Sequence, residues 1–440
     1  MAKRILLLFL AFASMAPSPA PAQVITKLSL LFRDIYGPNG LVVDSEAVLP
    51  DGSTHSGHFN SGFQSEFTQF NVAMASQLTA LPLPSPAAGF TYTFDTSTGT
   101  FKRSTQSFGP ILSDRAETIG RGKISFGFNY QQFRFDSVEG IDLSRVPAVF
   151  THDDYQLGGG RSDVVTTVNT IEATVDQFTS FLTYGVTDRL DVSLAIPIVH
   201  TSLSLVSDAT IQRLGTSDNP KIHFFRDPAA PDQYGIQRQF AAAGSASGIG
   251  DIIVRAKGTL LRKRTAGLAL GLDVRAPTGD EKDLLGSGAA GVKPFAAVSF
   301  LIKRISPHFN AAYQWNGASE LAGDVKTGTK ADLPDQIFYV AGADFGVTDR
   351  LTLALDFLGE HVINSPRLYA RTFTAVGETT SATFPDIGFR TGSFNRFSGA
   401  AGVKTNIAGH VLAIVNLSFR LNKAGLRDKV TPLVGIEYEF

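Results

Sequence analysis

Cysteine is absent from the 440 residues, which excludes disulfide bridges, thiolate metal sites and cysteine nucleophiles. An excess of one charge is absent too, because 39 lysines and arginines stand against 40 aspartates and glutamates, a net charge of -1. Nucleic-acid binding needs a basic surplus, so we expect no nucleic-acid partner. The histidines are scattered, and no HExxH, GxSxG or Walker-type motif occurs. We therefore predict no cofactor, no metal site and no catalytic residues.

Long apolar runs are also missing, apart from the features of a secretory signal peptide at residues 1–22. Lys3 and Arg4 precede a short apolar stretch, and the small residues up to Ala22 suit cleavage by a signal peptidase. No later stretch reaches the roughly 18 uninterrupted apolar residues of a transmembrane helix. After export, the chain is expected to be either soluble outside the cytoplasm or a membrane β-barrel.

From about residue 121 onward, apolar and polar residues alternate with a period of two, which is typical of β-strands with one apolar face. Most segments have ten or more residues, enough to cross a bilayer at a tilt. Short turns alternate with long loops, among them 207–247 and 363–392. This favours an all-β, transmembrane antiparallel barrel of about 12 strands at 121–440 over a soluble β-sandwich. The predicted strands are 122–136, 168–186, 189–206, 248–261, 266–277, 291–303, 307–317, 335–346, 350–362, 393–405, 410–421 and 430–440.

The last predicted strand has the pattern of an assembly signal. Val434, Ile436, Tyr438 and Phe440 share one face, and this resembles the terminal strand that outer-membrane proteins present to the barrel-assembly machinery. We expect Tyr438 and Phe440 to carry the signal, and we expect the barrel to lie among the lipids of the outer membrane of a Gram-negative bacterium. If Phe440 is periplasmic, the short turns are periplasmic and the long loops extracellular.

Residues 23–120 lack this alternation and are predicted to form a partly helical, plug-like or periplasmic segment. Ser61 and Gln64 suit a capping box, apolar residues follow at helical spacing up to Leu78, and prolines end the pattern. The helix is expected either to pack on the inner wall or periplasmic rim, or to plug the pore. The plug candidates are Phe63, Phe67, Phe70 and Met74.

Charged residues of both signs fall on the face opposite to the apolar one, so they are expected to line the lumen. Ion pairing across neighbouring strands, such as Arg255 with Asp273, is one interpretation, and solute binding is the other. The lumen-lining candidates are Asp191, Arg255, Lys257, Asp273, Arg275, Asp344, Asp356, Arg396, Lys404, Arg420, Glu437 and Glu439.

Three stretches carry a resemblance to a known family. GVTDRLDVSLAIPI at 185–198, SGIGDIIVRAKG at 247–258 and APTGD at 276–280 resemble the phenol-degradation (MetA-pathway) family of outer-membrane proteins, which are often labelled as transporters. The resemblance covers most of residues 120–440. It implies an outer-membrane barrel for the uptake of small, often aromatic or apolar compounds, similar to the long-chain fatty acid transporters, and it brings no catalytic residues.

We therefore predict a porin-like outer-membrane channel, not an enzyme, that takes up small apolar or aromatic solutes. Two other functions remain open. One is an outer-membrane lipid hydrolase, which would depend on a histidine such as His200 or His308. The other is a structural or adhesive barrel that acts through its extracellular loops.

Overall fold

Twelve antiparallel strands form a closed barrel in the computed structural model of the chain, as predicted. The structure describes residues 27–37, 39–48, 52, 57–61, 63, 69–80, 92–95, 100–103, 107–152, 163–227, 230–377 and 380–439. The predicted signal peptide, Phe67 and Phe440 lie outside these described residues. The barrel strands are β1 Ile124–Val138, β2 Val164–Thr187, β3 Leu190–Gln212, β4 Gln237–Ile249 continued by Ile252–Arg262, β5 Ala266–Ala276, β6 Gly291–Phe300, β7 Ile305–Asn316, β8 Gln336–Thr348, β9 Leu351–Val376, β10 Ser381–Ala408, β11 Val411–Arg420 and β12 Val430–Glu439.

The ring closes because the last strand pairs with the first. Each strand pairs with the next along the chain, and β12 pairs with β1 from Leu433 opposite Gln131 to Glu439 opposite Ser125. Closure satisfies the backbone groups that an open sheet edge would leave to lipid.

The strands show the predicted alternation of faces. On β1, Phe126 and Phe128 point outward and are partly exposed, whereas Ser125 and Asn129 point inward and are buried. The same period continues on β5, where Leu270 is exposed and Asp273 is buried. An apolar outer face suits lipid, and a polar inner face suits water or polar partners.

Two predicted loops are shorter than expected, because the strands extend beyond the apolar part of the barrel. β3 continues to Gln212 and β4 begins at Gln237, so the loop predicted at 207–247 is wrong at both ends. The loop predicted at 363–392 is wrong too, because β9 and β10 remain paired up to Val376 opposite Ser381. Outside lipid, neither strand face needs to be apolar, so the alternation of the sequence fades there.

Shorter elements lie before the barrel and in its connections. None of the helices among the described residues is long and apolar enough to span a membrane. The helices are the 3₁₀ turns Leu28–Leu30, Leu143–Arg145 and Glu281–Asp283 and the α-helices Leu31–Asp34 and Gln69–Thr79. The additional strands are Leu41–Val43, Gly57–Asn60, Tyr92–Asp95, Thr100–Arg103, Ile141–Asp142, Val146–His152, Phe225–Asp227, Ala230–Gly235, Ala318–Asp324, Thr329–Asp332 and Leu426–Asp428.

The predicted helix is present at Gln69–Thr79, and the predicted capping box involves Ser61 and Gln64. Ser61 Oγ accepts a hydrogen bond from the Phe63 amide at 3.1 Å, and Gln64 lies outside the described residues. Phe63, Phe70 and Met74 are buried. They belong to the main apolar core, which fills the lumen between Phe133, Ile171 and Leu205 of the wall.

Candidate functional site in the barrel lumen

Two parts of the N-terminal region lie inside the barrel. We call the described residues between 27 and 80 the outer segment, because they contact the strand ends on the side of the long connections. Tyr36 Oη lies 2.8 Å from Ser207 Oγ of β3. At the other end of the outer segment, Thr79 Oγ1 donates to Gln336 Oε1 of β8 at 3.1 Å. The outer segment is therefore held on opposite parts of the wall.

Residues 107–119, which we call the inner segment, cross the lumen nearer the short turns. The inner segment has no helix or strand, so its backbone groups need other partners. Side chains of the wall supply them: the Phe108 amide donates to Thr352 Oγ1 at 2.8 Å, and the Asp114 amide donates to Asn310 Oδ1 at 2.7 Å. Inward polar residues of the barrel thus satisfy an irregular chain that is buried inside it.

The two predicted lumen residues Asp191 and Lys257 hold the same inner segment. Asp191 Oδ2 accepts from the Ile119 amide at 2.9 Å. Lys257 Nζ donates to the Glu117 carbonyl at 2.9 Å. Both side chains are buried, and their partners are backbone groups.

Arg255 joins the wall to the inner segment. Its Nε donates to Asp273 Oδ1 at 2.6 Å and its Nη2 to Asp273 Oδ2 at 2.9 Å, so the pair expected between adjacent strands is present. Its Nη1 donates to Asp114 Oδ1 at 2.9 Å. Lys293 Nζ lies 3.1 Å from Asp273 Oδ2. Removing one member of such a buried network leaves another charge without its partner.

Ser299, His308 and Asp344 form a hydrogen-bonded chain on β6, β7 and β8. Ser299 Oγ lies 2.9 Å from His308 Nδ1, and His308 Nε2 bonds to Asp344. Both ends of this chain also hold the inner segment: the Ala116 amide donates to Ser299 Oγ at 2.8 Å, and Ser107 Oγ donates to Asp344. Serine, histidine and aspartate are the components of a hydrolytic triad, but here the serine oxygen faces a backbone amide.

The other predicted lumen residues have separate partners. Asp356 Oδ1 accepts from Ser113 Oγ at 2.8 Å, and Glu437 Oε1 accepts from Ser125 Oγ at 2.9 Å. Lys404 is fully buried, and its Nζ has no hydrogen-bond partner among the described residues.

Two predicted arginines lie toward the outer end of the barrel. Arg275 Nη2 donates to Asn316 Oδ1 at 2.7 Å. Arg420 bonds to Asp136 and donates to Ser137 Oγ at 2.7 Å. The backbone of Glu439 pairs with Ser125, and its side chain lies outside the described residues.

A cavity of about 190 Å³ lies between the two segments. Gln77 and Ala80 of the outer segment line it, as do Leu112 and Asp114 of the inner segment. Arg255 and Arg396 are the predicted lumen residues that reach it. Its other lining residues include the charged Lys293, Glu360, Arg427 and Asp428 and the apolar Phe133, Phe295, Phe338, Val340, Leu358 and Leu433.

Sequence reasoning missed several charged residues of the cavity. Glu360 and Lys293 have the inward phase of β9 and β6, so the alternation that assigned Asp356 and Asp273 was sufficient to find them. Arg427 lies in the connection between β11 and β12, where no period assigns a face. Among the described residues, no cluster of three potential ligands suits a metal ion.

Residues 148–355 match the family described as "Putative MetA-pathway of phenol degradation". This match confirms the resemblance that the hairpin motifs carry. It spans β2 to the start of β9 and includes the β6–β8 wall of the cavity. No curated protein matches the sequence.

Solved structures of outer-membrane barrels are similar to this chain at low identity. The COG4313 outer membrane channel from Pseudomonas putida F1 is 13% identical, with 74% of this chain and 98% of that chain covered and a TM-score of 0.42. A Pseudomonas aeruginosa FadL homologue is 12% identical, with 72% and 89% covered and a TM-score of 0.28. The fold assignment rests on the strand pairing of this chain itself.

Proposed function

We propose that this protein is an outer-membrane channel for the uptake of small apolar or aromatic solutes, and that the inner and outer segments close it. The observation that carries the proposal is the cavity between the two segments. A solute that crosses the lumen has to pass both segments, and the cavity lies between them. A barrel of twelve strands is narrower than the open porins with 16 to 18 strands, so less material inside the lumen is needed to close it.

The composition of the cavity supports this solute class. Phe295, Phe338 and Leu358 offer apolar contact, which is the usual lining of a small-molecule site. Its volume is comparable to the roughly 150 Å³ of an engineered apolar cavity that binds benzene. A single aromatic ring therefore matches its size.

Single-channel conductance of two matched variants in planar bilayers tests the proposal. In one variant residues 23–106 are deleted, and in the other residues 107–119 are replaced by a glycine-serine sequence of equal length. Each is expected to conduct more than the intact chain, because each removes one barrier, and the combined variant should conduct most. Unchanged conductance in the combined variant, with an intact barrel by circular dichroism, would contradict closure by these segments.

The hydrogen-bonded side chains of Ser299, His308 and Asp344 are the one observation that favours a lipid hydrolase. All three of its side chains are buried, and the inner segment occupies the position that an ester would need beside Ser299. We therefore infer that these three side chains hold the inner segment in place. Ester hydrolysis by the purified protein that is lost in Ser299→Ala would reverse this assignment.

A further inference from the structure

Arg427 is a buried cation that lines the cavity. It forms no salt bridge among the described residues, and Asp428 and Glu360 attract it only from beyond salt-bridge distance. It is 8% exposed. Its Nη2 donates to the Phe397 carbonyl at 2.8 Å and to Ser398 Oγ at 2.7 Å. Its Nε has no hydrogen-bond partner, and no carboxylate oxygen of the described residues lies within 4.0 Å of the guanidinium. Burying a charge in this way is costly unless a counter-charge reaches it.

The other cations of the cavity wall are already neutralised. Arg255 and Lys293 both contact Asp273, and Arg396 Nη2 lies 2.5 Å from Glu360 Oε2. Asp428, which follows Arg427 in the chain, accepts a hydrogen bond from Thr431 Oγ1 instead. Among the described residues, Arg427 is thus the cation on this wall without a salt bridge, and its Nη1, which makes no hydrogen bond to them, is the nitrogen that can meet an anion.

The aromatic side chains of the cavity do not compete for Arg427. The Arg255 guanidinium lies 4.7 Å from the centroid of the Phe295 ring, and Lys293 Nζ lies 5.5 Å from that of Phe338. These contacts hold two rings in place beside ion-paired cations. As far as the structure describes its lining, the cavity therefore combines a fixed apolar surface with one guanidinium that forms no salt bridge.

We propose that the cavity binds a small aromatic carboxylate, with its carboxylate on Arg427 and its ring against the apolar lining residues. The proposal rests on the proposed function and specifies the solute within it. A guanidinium offers a carboxylate its positive charge and a charge-assisted hydrogen bond, here from Nη1 of Arg427. The volume of about 190 Å³ accommodates one ring and a carboxylate.

Equilibrium dialysis with radiolabelled benzoate tests this site, with the full-length mature protein folded in detergent at pH 7. Benzyl alcohol serves as the neutral ring compound, and acetate as the anion without a ring. Benzoate is expected to bind at least about tenfold more tightly than either, because a hydrogen bond to a charged group contributes roughly a factor of 10 to 100. Equal binding of benzoate and benzyl alcohol would overturn the proposal.

Substitution of Arg427 assigns the effect to this residue. Arg427→Gln should weaken benzoate binding by about 10- to 100-fold and leave benzyl alcohol unchanged, whereas Arg427→Lys should keep part of the preference for the anion. Arg390→Gln is the matched control, because Arg390 lies exposed on the β9–β10 hairpin. Circular dichroism shows whether each variant has folded. Unaltered benzoate binding in folded Arg427→Gln would overturn the assignment.

Conductance separates this proposal from the channel proposal. If the protein binds benzoate but none of the deletion, replacement and combined variants conducts, the benzoate site is supported and the channel proposal is contradicted. A conducting variant that shows no preference for benzoate would overturn the site alone.

Discussion

The side-chain carboxylate of Asp163 binds several groups of the connection between β3 and β4. It accepts hydrogen bonds from the amides of Leu214 and Gly215 at 2.9 and 2.8 Å, and His223 Nδ1 lies 2.6 Å from its Oδ2. Burial acts to raise the pKa of Asp163, but the hydrogen bonds from His223, Thr216 and Gly215 outweigh it and lower the pKa to about 2. The ionised carboxylate is the form that the connection requires.

The lowered pKa of Asp163 predicts when this connection loosens. Because the folded pKa lies below the unfolded value of about 3.9, the stabilisation is fully present above about pH 4 and is lost as the pH falls through about 2. Amide hydrogen exchange of residues 214–216, corrected for intrinsic rates, should show that loss of protection in this window. Asp163→Asn should lower the free energy of opening measured by exchange at these amides by roughly 1–3 kcal/mol, and it should remove the pH dependence of their protection. Equal protection of the native chain at pH 5 and pH 2 would contradict the role of the carboxylate.

The inner segment illustrates how an element without regular structure is held. Ile111 is fully buried against Ala354, Ala400 and Ile414 of the wall. A Cβ on Gly402 would lie 2.6 Å from Ile111 Cδ1, so the wall is built of small residues where this side chain enters. Apolar packing and the hydrogen bonds from the wall thus act together on one short segment.

Ile111→Ala should weaken the docking of the inner segment. Truncating a buried isoleucine costs about 2–5 kcal/mol of stability. Here the lost packing destabilises the arrangement in which the inner segment is docked on the wall. Single-channel recordings should therefore show more frequent opening than in the native chain. Ile198→Ala is the control, because Ile198 points outward and is half exposed. An identical opening frequency in Ile111→Ala and in the control would show that this contact does not keep the lumen closed.

The sequence predicts some elements better than others, because the elements differ in the partners of their backbone hydrogen bonds. β1 and β5 pair with neighbours inside a lipid-facing wall, so their side chains alternate and the pattern is readable. The helix Gln69–Thr79 bonds within itself and keeps its helical spacing. The inner segment bonds to side chains such as Thr352 and Asn310, and such bonds leave no period. Arg427 lies in a connection, so its position in the cavity depends on tertiary structure alone.

At the scale of the whole molecule, the outer surface of the barrel is a belt of partly exposed apolar side chains. Leu270 lies in the middle of β5, and Leu260 lies near the short turn between β4 and β5. Both are exposed on the outside, by 49% and 58%. They differ chiefly in their expected depth in the bilayer.

This pair of leucines predicts a depth-dependent cost of charge. Leu270→Arg should lower the free energy of unfolding by about 2–4 kcal/mol, and Leu260→Arg by about 0–1 kcal/mol, because arginine is most costly near the middle of the bilayer. Urea titrations of the protein folded into liposomes measure both values. Equal costs at the two positions would show that the barrel is not embedded at this depth.

The pairing of β12 with β1 has a consequence for the order of folding. Residues 27–119 precede β1 in the chain, yet the segments described above lie inside the ring that β1 and β12 complete. A ring that sealed first would force these segments to thread through one of its ends. If sealing comes last, the sheet can curl around them, and their contacts with β3, β7, β8 and β9 then act as a template for its curvature. In that order of events, the lumen contents would take part in the assembly of the barrel as well as in its proposed closure.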